Sequence, residues 1–431
     1  MEIHIYDRCA HSYDVIKDFV GASPAAALVL MDHHNSGPEP EESWIGSLLQ
    51  DGVISTVYWI TEFSMDEPET AERANGRIIA VDMRQIDRIK LPKNFILSID
   101  LDMPAYEKNS SSVDFLRRII KWMNTQKPGL VTVALSGAYQ NSSDGMYSSL
   151  TEIIQSLPLG SVIYLESAAP PERFEEPYRR QNRYSPDSPD KSLDPNIPPD
   201  PWIWYSLPVK CTELLKKRNV VIKGENRENI LAVWNDTAHK KLRKTYNGER
   251  QKEILQAARG GIFRFWDDAK MPDLPPLGPN EGLAIRLISR GEDRGCLTWY
   301  KNSGDMNLFA AYCAAKALRD PRYTAVTPDE AGNLFVELAI FGDWEDMSNP
   351  QEFIPGYHNL WLSDGVHNTI LQASLVPQRN YTKEDFLENI CKKAGLEKNA
   401  WKENANLKWK RSPGLWLIEP LHEIPLALVS K

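Results

Sequence analysis

Two aliphatic segments in the first half of the chain each end in side chains that can bind a metal ion. One segment leads into Asp32 and His34, and a later one leads into Asp100 and Asp102. If both segments are buried strands, the two members of each pair point the same way, because side chains alternate along a strand. Carboxylates and imidazoles without thiolates suit Mn(II), Fe(II) or Zn(II). The pattern therefore predicts a divalent-metal site where the two strand ends meet.

His11 follows the first predicted strand and is the remaining candidate ligand in this region. A metal held by these groups would lower the pKa of a bound water and polarise a carbonyl or amidine carbon, which gives hydrolysis of a C–N bond. The simpler interpretation is that acids at strand ends cap the following helices or pair with arginines. Both interpretations remain open from the residues alone.

Strand-like and helix-like stretches alternate through the first half of the chain. Residues 57–60 and 130–135 are apolar runs of strand length, whereas residues 112–122 and 146–157 carry apolar side chains at helical spacing. Such alternation is typical of an open parallel sheet with helices on both faces, in which ligands bind outside the carboxyl ends of the strands. We predict a three-layer parallel α/β domain over residues 1–167.

Composition limits the classes of protein to consider. The 431 residues are enough for two domains, and 42% hydrophobic with 25% charged residues is ordinary for a globular protein. The formal net charge of −9 argues against a general nucleic-acid or membrane-surface binder. The five cysteines form no CxxC pair, which indicates free thiols in a reducing compartment. With no apolar leader or spanning segment, we expect a cytoplasmic protein with a small-molecule substrate.

Residues 168–202 interrupt the alternation. Nine prolines lie between Pro170 and Pro201, and proline removes backbone donors and restricts its neighbours. We predict an extended linker here, leave residues 203–224 unassigned, and place a second domain at residues 225–420.

The second domain is predicted to begin with one amphipathic helix over residues 227–244. Residues 239–244 are rich in lysine and arginine, which suggests contact with nucleic acid. A solvated helix face with cations near its C-terminal end explains the same pattern more simply. We therefore do not expect a nucleic-acid partner.

A predicted hairpin carries the one candidate nucleophile of the second half. Residues 283–288 alternate as a strand, Gly291 turns the chain, and residues 294–299 return with Cys296. We place Arg294 on the same strand face, where its guanidinium would stabilise a thiolate or bind an anion. His358 and His367 are the downstream candidates for a base. The alternative is that Cys296 is a small buried residue of the hairpin.

The first half resembles the arginase/deacetylase superfamily in three stretches, "AHSYDVI", "LVLMDHHNSG" and "FILSIDLDMP". The resemblance places Asp32 and His34 on the first two letters of a DxHxD metal motif, and Asp100 and Asp102 on those of a DxDxxDP motif. His11 would be the early metal-binding histidine. Ser36 stands at the position of the third acid of the first motif. The resemblance therefore argues against a two-metal site and leaves two alternatives, one metal as in the deacetylases or a site that has lost its chemistry.

The second half resembles the family named for the AMME chromosomal region (Alport syndrome, midface hypoplasia, elliptocytosis). "DRGCLTWY" falls on its LRGCIG hallmark, and the later stretches "AAYCAAKALRDPRYTAVTPDEAGNLFVELAIF" and "FLENICKKAGLEKNAW" also match. The resemblance implies a second α/β domain in which Arg294, Gly295 and Cys296 are the hallmark residues. Cys391 and Trp401 belong to the later block.

The leading hypothesis is a two-domain cytoplasmic protein that pairs an arginase/deacetylase-like domain with an accessory domain of the AMME family. Its activity would be metal-dependent hydrolysis of an amide or amidine C–N bond, with a Mn, Fe or Zn ion as cofactor. One alternative is a non-catalytic module that binds a ligand or partner and has a degenerate metal site. A further alternative is chemistry at Cys296.

Overall fold

The protein is described by a computed structural model and folds into two compact units. The first contains the described residues up to 167 and from 202 to 230, and the second contains those from 231 to 419. The structure describes these residues: 1–7, 12–21, 26–31, 44–61, 77–92, 94–101, 111–136, 143–167, 202–265, 282–289, 292–299, 305–379 and 381–419. The predicted linker lies outside them, apart from Trp202.

The first unit contains an eight-stranded parallel sheet, as the alternation of elements predicted. Its strands lie in the order β4-β3-β2-β5-β6-β1-β7-β8. They are β1 (Glu2–Tyr6), β2 (Ala26–Met31), β3 (Ile54–Thr61), β4 (Ile78–Asp82), β5 (Ile96–Asp100), β6 (Leu130–Ala134), β7 (Val162–Glu166) and β8 (Asn219–Lys223). Every residue of β5 and β6 is buried, as expected for central strands of a sheet covered on both faces.

Helices connect these strands and supply the apolar faces that cover them. The helices are α1 (Ser12–Val20), α2 (Trp44–Gln50), α3 (Ser111–Gln126), α4 (Ser143–Ser156), α5 (Trp202–Tyr205) and α6 (Val209–Lys216). Ile16 of α1 and Leu48 of α2 pack with Leu28 and Leu30 of β2 in one core cluster. The unassigned residues 203–224 belong to this unit, because β8 pairs in parallel with β7.

The chain changes direction between β2 and β5. After β2 it continues to β3 on one side, and after β5 it continues to β6 on the other. The two strands are neighbours, with Met31 paired to Ile99. Ligands of open α/β sheets bind where the strand order reverses in this way, outside the carboxyl ends. The carboxyl ends of β2 and β5 are therefore the expected ligand edge of this sheet.

The second unit is built on a seven-stranded antiparallel sheet. The strand order is β10-β9-β11-β15-β13-β14, and β12 pairs with β15. The strands are β9 (Gly282–Ser289), β10 (Glu292–Trp299), β11 (Phe335–Phe341), β12 (Glu345–Met347), β13 (His358–Ser363), β14 (Asn368–Leu371) and β15 (Lys408–Ile418). The predicted hairpin is confirmed as β9 and β10.

The helices of this region are α7 (Arg227–Asn235), α8 (Thr237–Thr245), α9 (Gly248–Arg264), α10 (Met306–Ala317), α11 (Pro328–Ala331), α12 (Leu375–Arg379), α13 (Lys383–Lys393) and α14 (Ala400–Glu403). The prediction of one helix over residues 227–244 was wrong. Asp236 ends α7 and caps α8, because its carboxylate accepts hydrogen bonds from the backbone N–H groups of Ala238 and His239. None of the helices that the structure describes has the length and apolar character needed to cross a membrane.

One face of the second sheet packs on α9 and α10. The residues on this face alternate along each strand with those on the opposite face, and the core cluster includes Leu283, Ile285, Leu287, Val336, Leu338 and Ile340. The two helices approach closely at Gly261, where an added Cβ would overlap the backbone carbonyl of Ala311. Gly260 precedes it in the same helix and has no atom within 4 Å of an added Cβ.

Adjacent glycines of α9 should therefore respond in opposite ways to the same substitution. Gly261→Ala forces α9 away from α10, and we expect a loss of about 1–3 kcal/mol or more in the free energy of unfolding. Gly260→Ala should be neutral or stabilise by up to about 1 kcal/mol, since alanine favours helix and meets no neighbour. Urea unfolding followed by circular dichroism measures both. Equal effects of the two substitutions would contradict the packing of α9 on α10.

Candidate functional site

The predicted metal ligands follow two neighbouring strands of the first sheet. Asp100 is the last residue of β5, and Asp32 follows the last residue of β2 in the sequence. Asp32, His34, Asp102 and His11 themselves lie outside the described residues. Among the residues that the structure does describe, no three His, Cys, Asp or Glu side chains form a group that could hold a metal.

Asp100 is buried at this edge, with 5% of its surface exposed. Its carboxylate accepts a hydrogen bond of 2.7 Å from the Ser136 hydroxyl, just beyond the end of β6. Ser136 has a φ of 47°, in the left-handed region that side chains other than glycine rarely adopt. Its backbone N–H donates to the carbonyl of Asp7, which follows β1. A buried, hydrogen-bonded carboxylate at the carboxyl edge of a parallel sheet fits the role of an oxygen ligand for a divalent metal.

The second candidate site lies on the hairpin of the second unit. Cys296 is half-buried and is opposite Arg286 of β9 in the strand register. Arg286 is in turn opposite Glu337 of β11. Residues directly opposite on antiparallel strands point to the same face, so these three side chains form one row across the sheet. We call Cys296, Arg286 and Glu337 the thiol row.

The thiol row lies on the face opposite α9 and α10 and is held by hydrogen bonds. Glu337 accepts a hydrogen bond of 2.8 Å from Arg286 and one of 2.9 Å from the Gln378 amide. The Ser374 hydroxyl donates to the other Glu337 oxygen at 2.8 Å. Arg286 also donates to Asp293 at 2.6 Å. Burial alone would lower the pKa of Arg286. The carboxylates of Glu337 and Asp293 together outweigh this effect and raise the pKa, so the guanidinium stays charged.

The backbone of Cys296 is fixed by an acid and an arginine on the loop after α10. The Cys296 N–H donates to Asp320 at 2.9 Å, and Arg322 donates to the Cys296 carbonyl at 3.0 Å. Arg322 also donates to both carboxylate oxygens of Asp320, at 2.9 and 2.6 Å. Burial raises the pKa of Asp320, but the hydrogen bonds from Arg322 outweigh this effect and lower it. The resulting pair locks the strand position that carries the thiol.

Two cationic side chains lie next to Cys296. Arg286 is opposite it in the strand register, and Arg322 donates a hydrogen bond to its backbone carbonyl. Lys393 ends α13, and its ammonium donates to the Ile370 carbonyl at 2.7 Å. Neighbouring protein lowers the pKa of this ammonium by desolvation, although the residue as a whole keeps an exposed surface. Positive charge near a cysteine stabilises the thiolate, which is the nucleophilic form.

The strand register does not keep the simple alternation on which Arg294 was predicted to share the face of Cys296. The register shifts between Asp293 and Gly295, so a β-bulge interrupts the alternation that the prediction assumed. The Arg294 guanidinium instead pairs with Glu330 at 2.9 Å. Gly295 has its own structural reason, because an added Cβ would overlap the Ala317 carbonyl at the end of α10. The arginines next to Cys296 are Arg286, which is opposite it on β9, and Arg322, which binds its carbonyl.

The predicted histidine bases make other contacts. His358 is 6% exposed, and its Nδ1 accepts a hydrogen bond of 2.9 Å from the Ile354 N–H. His367 is exposed and pairs with Asp364 at 3.0 Å. Burial lowers the pKa of His358 to about 3, and the positive charge of Arg411 acts in the same direction. These contacts favour a neutral, structural histidine at position 358.

Sequence reasoning missed Arg286, Asp320, Arg322 and Lys393. Arg286 had a visible signal, since it is the one charged residue within an otherwise apolar alternating strand. Lys393 and the Asp320–Arg322 pair gave no such signal, because they reach Cys296 from distant parts of the chain.

The second unit thus combines an antiparallel sheet with helices on one face and the thiol row on the other. A family model described as AMMECR1 matches residues 236–411. The chain belongs to the AMMECR1 family, which confirms the resemblance of its second half. The arginase/deacetylase resemblance of the first half stays a prediction.

Related proteins occur in archaea and bacteria. A protein of Methanosarcina acetivorans is 32% identical over 142 residues, which cover 31% of this chain and 71% of that protein. A protein of Methanosarcina barkeri is 28% identical over 170 residues, covering 36% of this chain and 84% of that protein. The crystal structure of the uncharacterized protein PH0010 from Pyrococcus horikoshii is similar with a TM-score of 0.33 and 22% identity, covering 39% of this chain and 95% of that one.

The buried His358 should make stability depend on pH. Its pKa in the folded protein is about 3, below the ordinary value of 6.5, so the folded state favours the neutral ring. The stabilisation is complete above about pH 6.5 and is lost as the pH falls toward 3, at up to about 1.4 kcal/mol per pH unit. We expect His358→Asn to flatten this part of the pH profile of the free energy of unfolding relative to the unaltered chain.

The matched control is His367→Asn, which removes an exposed histidine from the turn between β13 and β14. Because His367 pairs with Asp364 and lowers the pKa of that acid, this substitution should leave the profile unchanged between pH 6.5 and about 4, and any effect should lie below that range. If His358→Asn leaves the slope unchanged between pH 6.5 and 3, the neutral buried state of His358 is contradicted.

Proposed function

We propose that the AMMECR1 domain acts through the thiol of Cys296 as a nucleophile. The observation that carries this proposal is the thiol row, in which a half-buried cysteine faces a buried arginine. The other described cysteines, Cys211, Cys313 and Cys391, are buried, and burial raises the pKa of each thiol. Cys296 is thus the described thiol that combines solvent access with neighbouring positive charge.

The surrounding residues have distinct roles in this proposal. Arg286 is opposite Cys296 on the same face of the sheet, and positive charge beside a cysteine is the usual setting of a nucleophilic thiol. Asp320 binds the backbone N–H of Cys296 and Arg322 binds its carbonyl, which fixes the direction of the Cα–Cβ bond. Fixing a nucleophile in one orientation lowers the entropic cost of attack.

A second candidate function belongs to the first unit, namely metal-dependent hydrolysis of a C–N bond in a small molecule. It is favoured by one observation: β2 and β5 are adjacent at the reversal of strand order, and Asp100 is buried at their common edge. Asp100 would hold the ion together with Asp32, His34 and Asp102, and His11 would join them. When bound, the metal would activate a water and polarise the scissile carbon.

The thiol proposal predicts selective and rapid alkylation of Cys296. With iodoacetamide at neutral pH, peptide mapping should find Cys296 labelled first, at a rate about tenfold or more above that of free cysteine, because nearby cations stabilise the thiolate. Cys296→Ser should remove the fast phase. Labelling of Cys296 at or below the rate of free cysteine would end this proposal.

The metal proposal predicts stoichiometric binding of Mn(II), Fe(II) or Zn(II) by the full chain. Asp100→Asn should lower the affinity about 10–100-fold, since it removes one charged ligand. Asp87→Asn makes the same change at an exposed acid and should bind normally, while circular dichroism reports folding of both variants. A chain that binds no metal would favour the alternative of a non-catalytic first unit.

A further inference from the structure

The acidic and basic side chains around Cys296 differ in how much of each is exposed to solvent. Asp320 and Glu337 are covered, with side-chain exposures of 5% and 3%, whereas Asp293 is 22% exposed. The guanidinium side chains at its rim are open to solvent, with 53% exposure for Arg322 and 49% for Arg379. An approaching molecule therefore meets the cations first, while the acids beneath them hold the cations in place.

Lys393 adds to this cationic rim. Its described hydrogen bond goes to a backbone carbonyl, that of Ile370, which leaves the positive charge of the ammonium without neutralisation by that partner. Desolvation lowers the pKa of the group, and an anion bound beside it would raise that pKa again. Ile370 packs with Ala284 and Ala339, which are next to the arginine and the glutamate of the thiol row on the same face of the sheet. Lys393 therefore lies beside the thiol row.

We propose that the Cys296 site takes a small electrophile that carries an oxyanion, a carboxylate or a phosphate, which Arg322 and Lys393 bind while the thiolate attacks the neighbouring carbon. This inference rests on the thiol function proposed above and names its substrate class. In the attack a sulfur–carbon bond forms, the leaving group departs with the electron pair of the bond that breaks, and the thiol proton passes to solvent.

Arg322 and Lys393 suit such a ligand for different reasons. Arg322 is fixed in orientation by Asp320 and keeps its outer edge exposed, so it can present N–H donors to a planar or tetrahedral oxyanion. Lys393 provides a compact charge from the end of α13, on a different element. The two cations therefore come from separate elements, and each can contribute independently to anion binding.

Two reagents that differ in charge test this inference directly. Iodoacetate carries a carboxylate, and iodoacetamide is its neutral counterpart, while both alkylate thiols with loss of iodide. The quantity measured is the iodoacetate-to-iodoacetamide rate ratio at Cys296 in the full chain, divided by the same ratio for glutathione. We expect this quotient to be about ten, which corresponds to roughly 1.4 kcal/mol from a favourable charge interaction. It should fall toward one in 1 M NaCl.

Two neighbouring lysines of α13 supply a matched pair of variants. Lys393→Gln should lower the quotient several-fold, whereas Lys392→Gln, which removes an exposed charge beside it, should leave the quotient nearly unchanged. Inorganic phosphate should slow alkylation of Cys296 by iodoacetamide in the unaltered chain and less so in Lys393→Gln.

The outcomes separate this inference from the thiol function. If Cys296 reacts no faster than free cysteine with either reagent, the thiol function itself fails and the substrate class fails with it. If Cys296 reacts quickly with both but the quotient is one, the site has no preference for anions and only this inference is overturned. An equal effect of the two lysine variants would also overturn it, because general surface charge would then explain the preference.

Discussion

Arg286 brings a full positive charge onto a face of the second sheet that is otherwise largely apolar. An unpaired charge in that position would cost several kcal/mol. Glu337 and Asp293 neutralise it, and the amide oxygen of Gln378 accepts a further hydrogen bond of 2.6 Å. These partners come from β11, the hairpin and α12. The hydrogen bonds of one guanidinium therefore fix three elements relative to one another.

The rows of side chains on either side of the thiol row are apolar. Ile288, Phe335 and Ile418 form an apolar cluster on one side. On the other, Ala284, Ala339, Phe341 and Ile370 form another. Apolar residues in place of a buried ion pair are often as stable or more so, which means that stability alone does not require the charged row. If Cys296 reacts as proposed, the charged row has a chemical role, because it places positive charge beside the sulfur.

Sequence reasoning succeeded where a pattern is local and failed where a contact depends on distant partners. The β9–β10 hairpin follows from alternation and turn residues. That β2 and β5 are neighbours was expected from the metal-binding residues that follow both strands, because such residues meet only where the strands share an edge. The alternation predicted for Arg294 failed because the sequence does not show the β-bulge beside it. Gly295 could have indicated a bulge, but the close approach of α10 also requires a glycine there. Asp236 did carry a readable signal as a helix cap, and the helix was nevertheless predicted to continue through it.

The ligand edge of the first sheet also contains a buried polar group that needs hydrogen-bond partners. Here the group is the carboxyl group of Asp100, whereas in the thiol row it is the guanidinium of Arg286. Asp100 is buried, and a buried carboxylate needs donors. Ser136 supplies one from a left-handed backbone conformation that costs a residue with a Cβ roughly 1–2 kcal/mol. Glycine at that position would relieve the strain and remove the hydroxyl. A hydrogen bond contributes about 0.5–1.5 kcal/mol, so the bond to Asp100 offsets much of the strain, and serine is one residue that provides a donor to the carboxyl group from this turn.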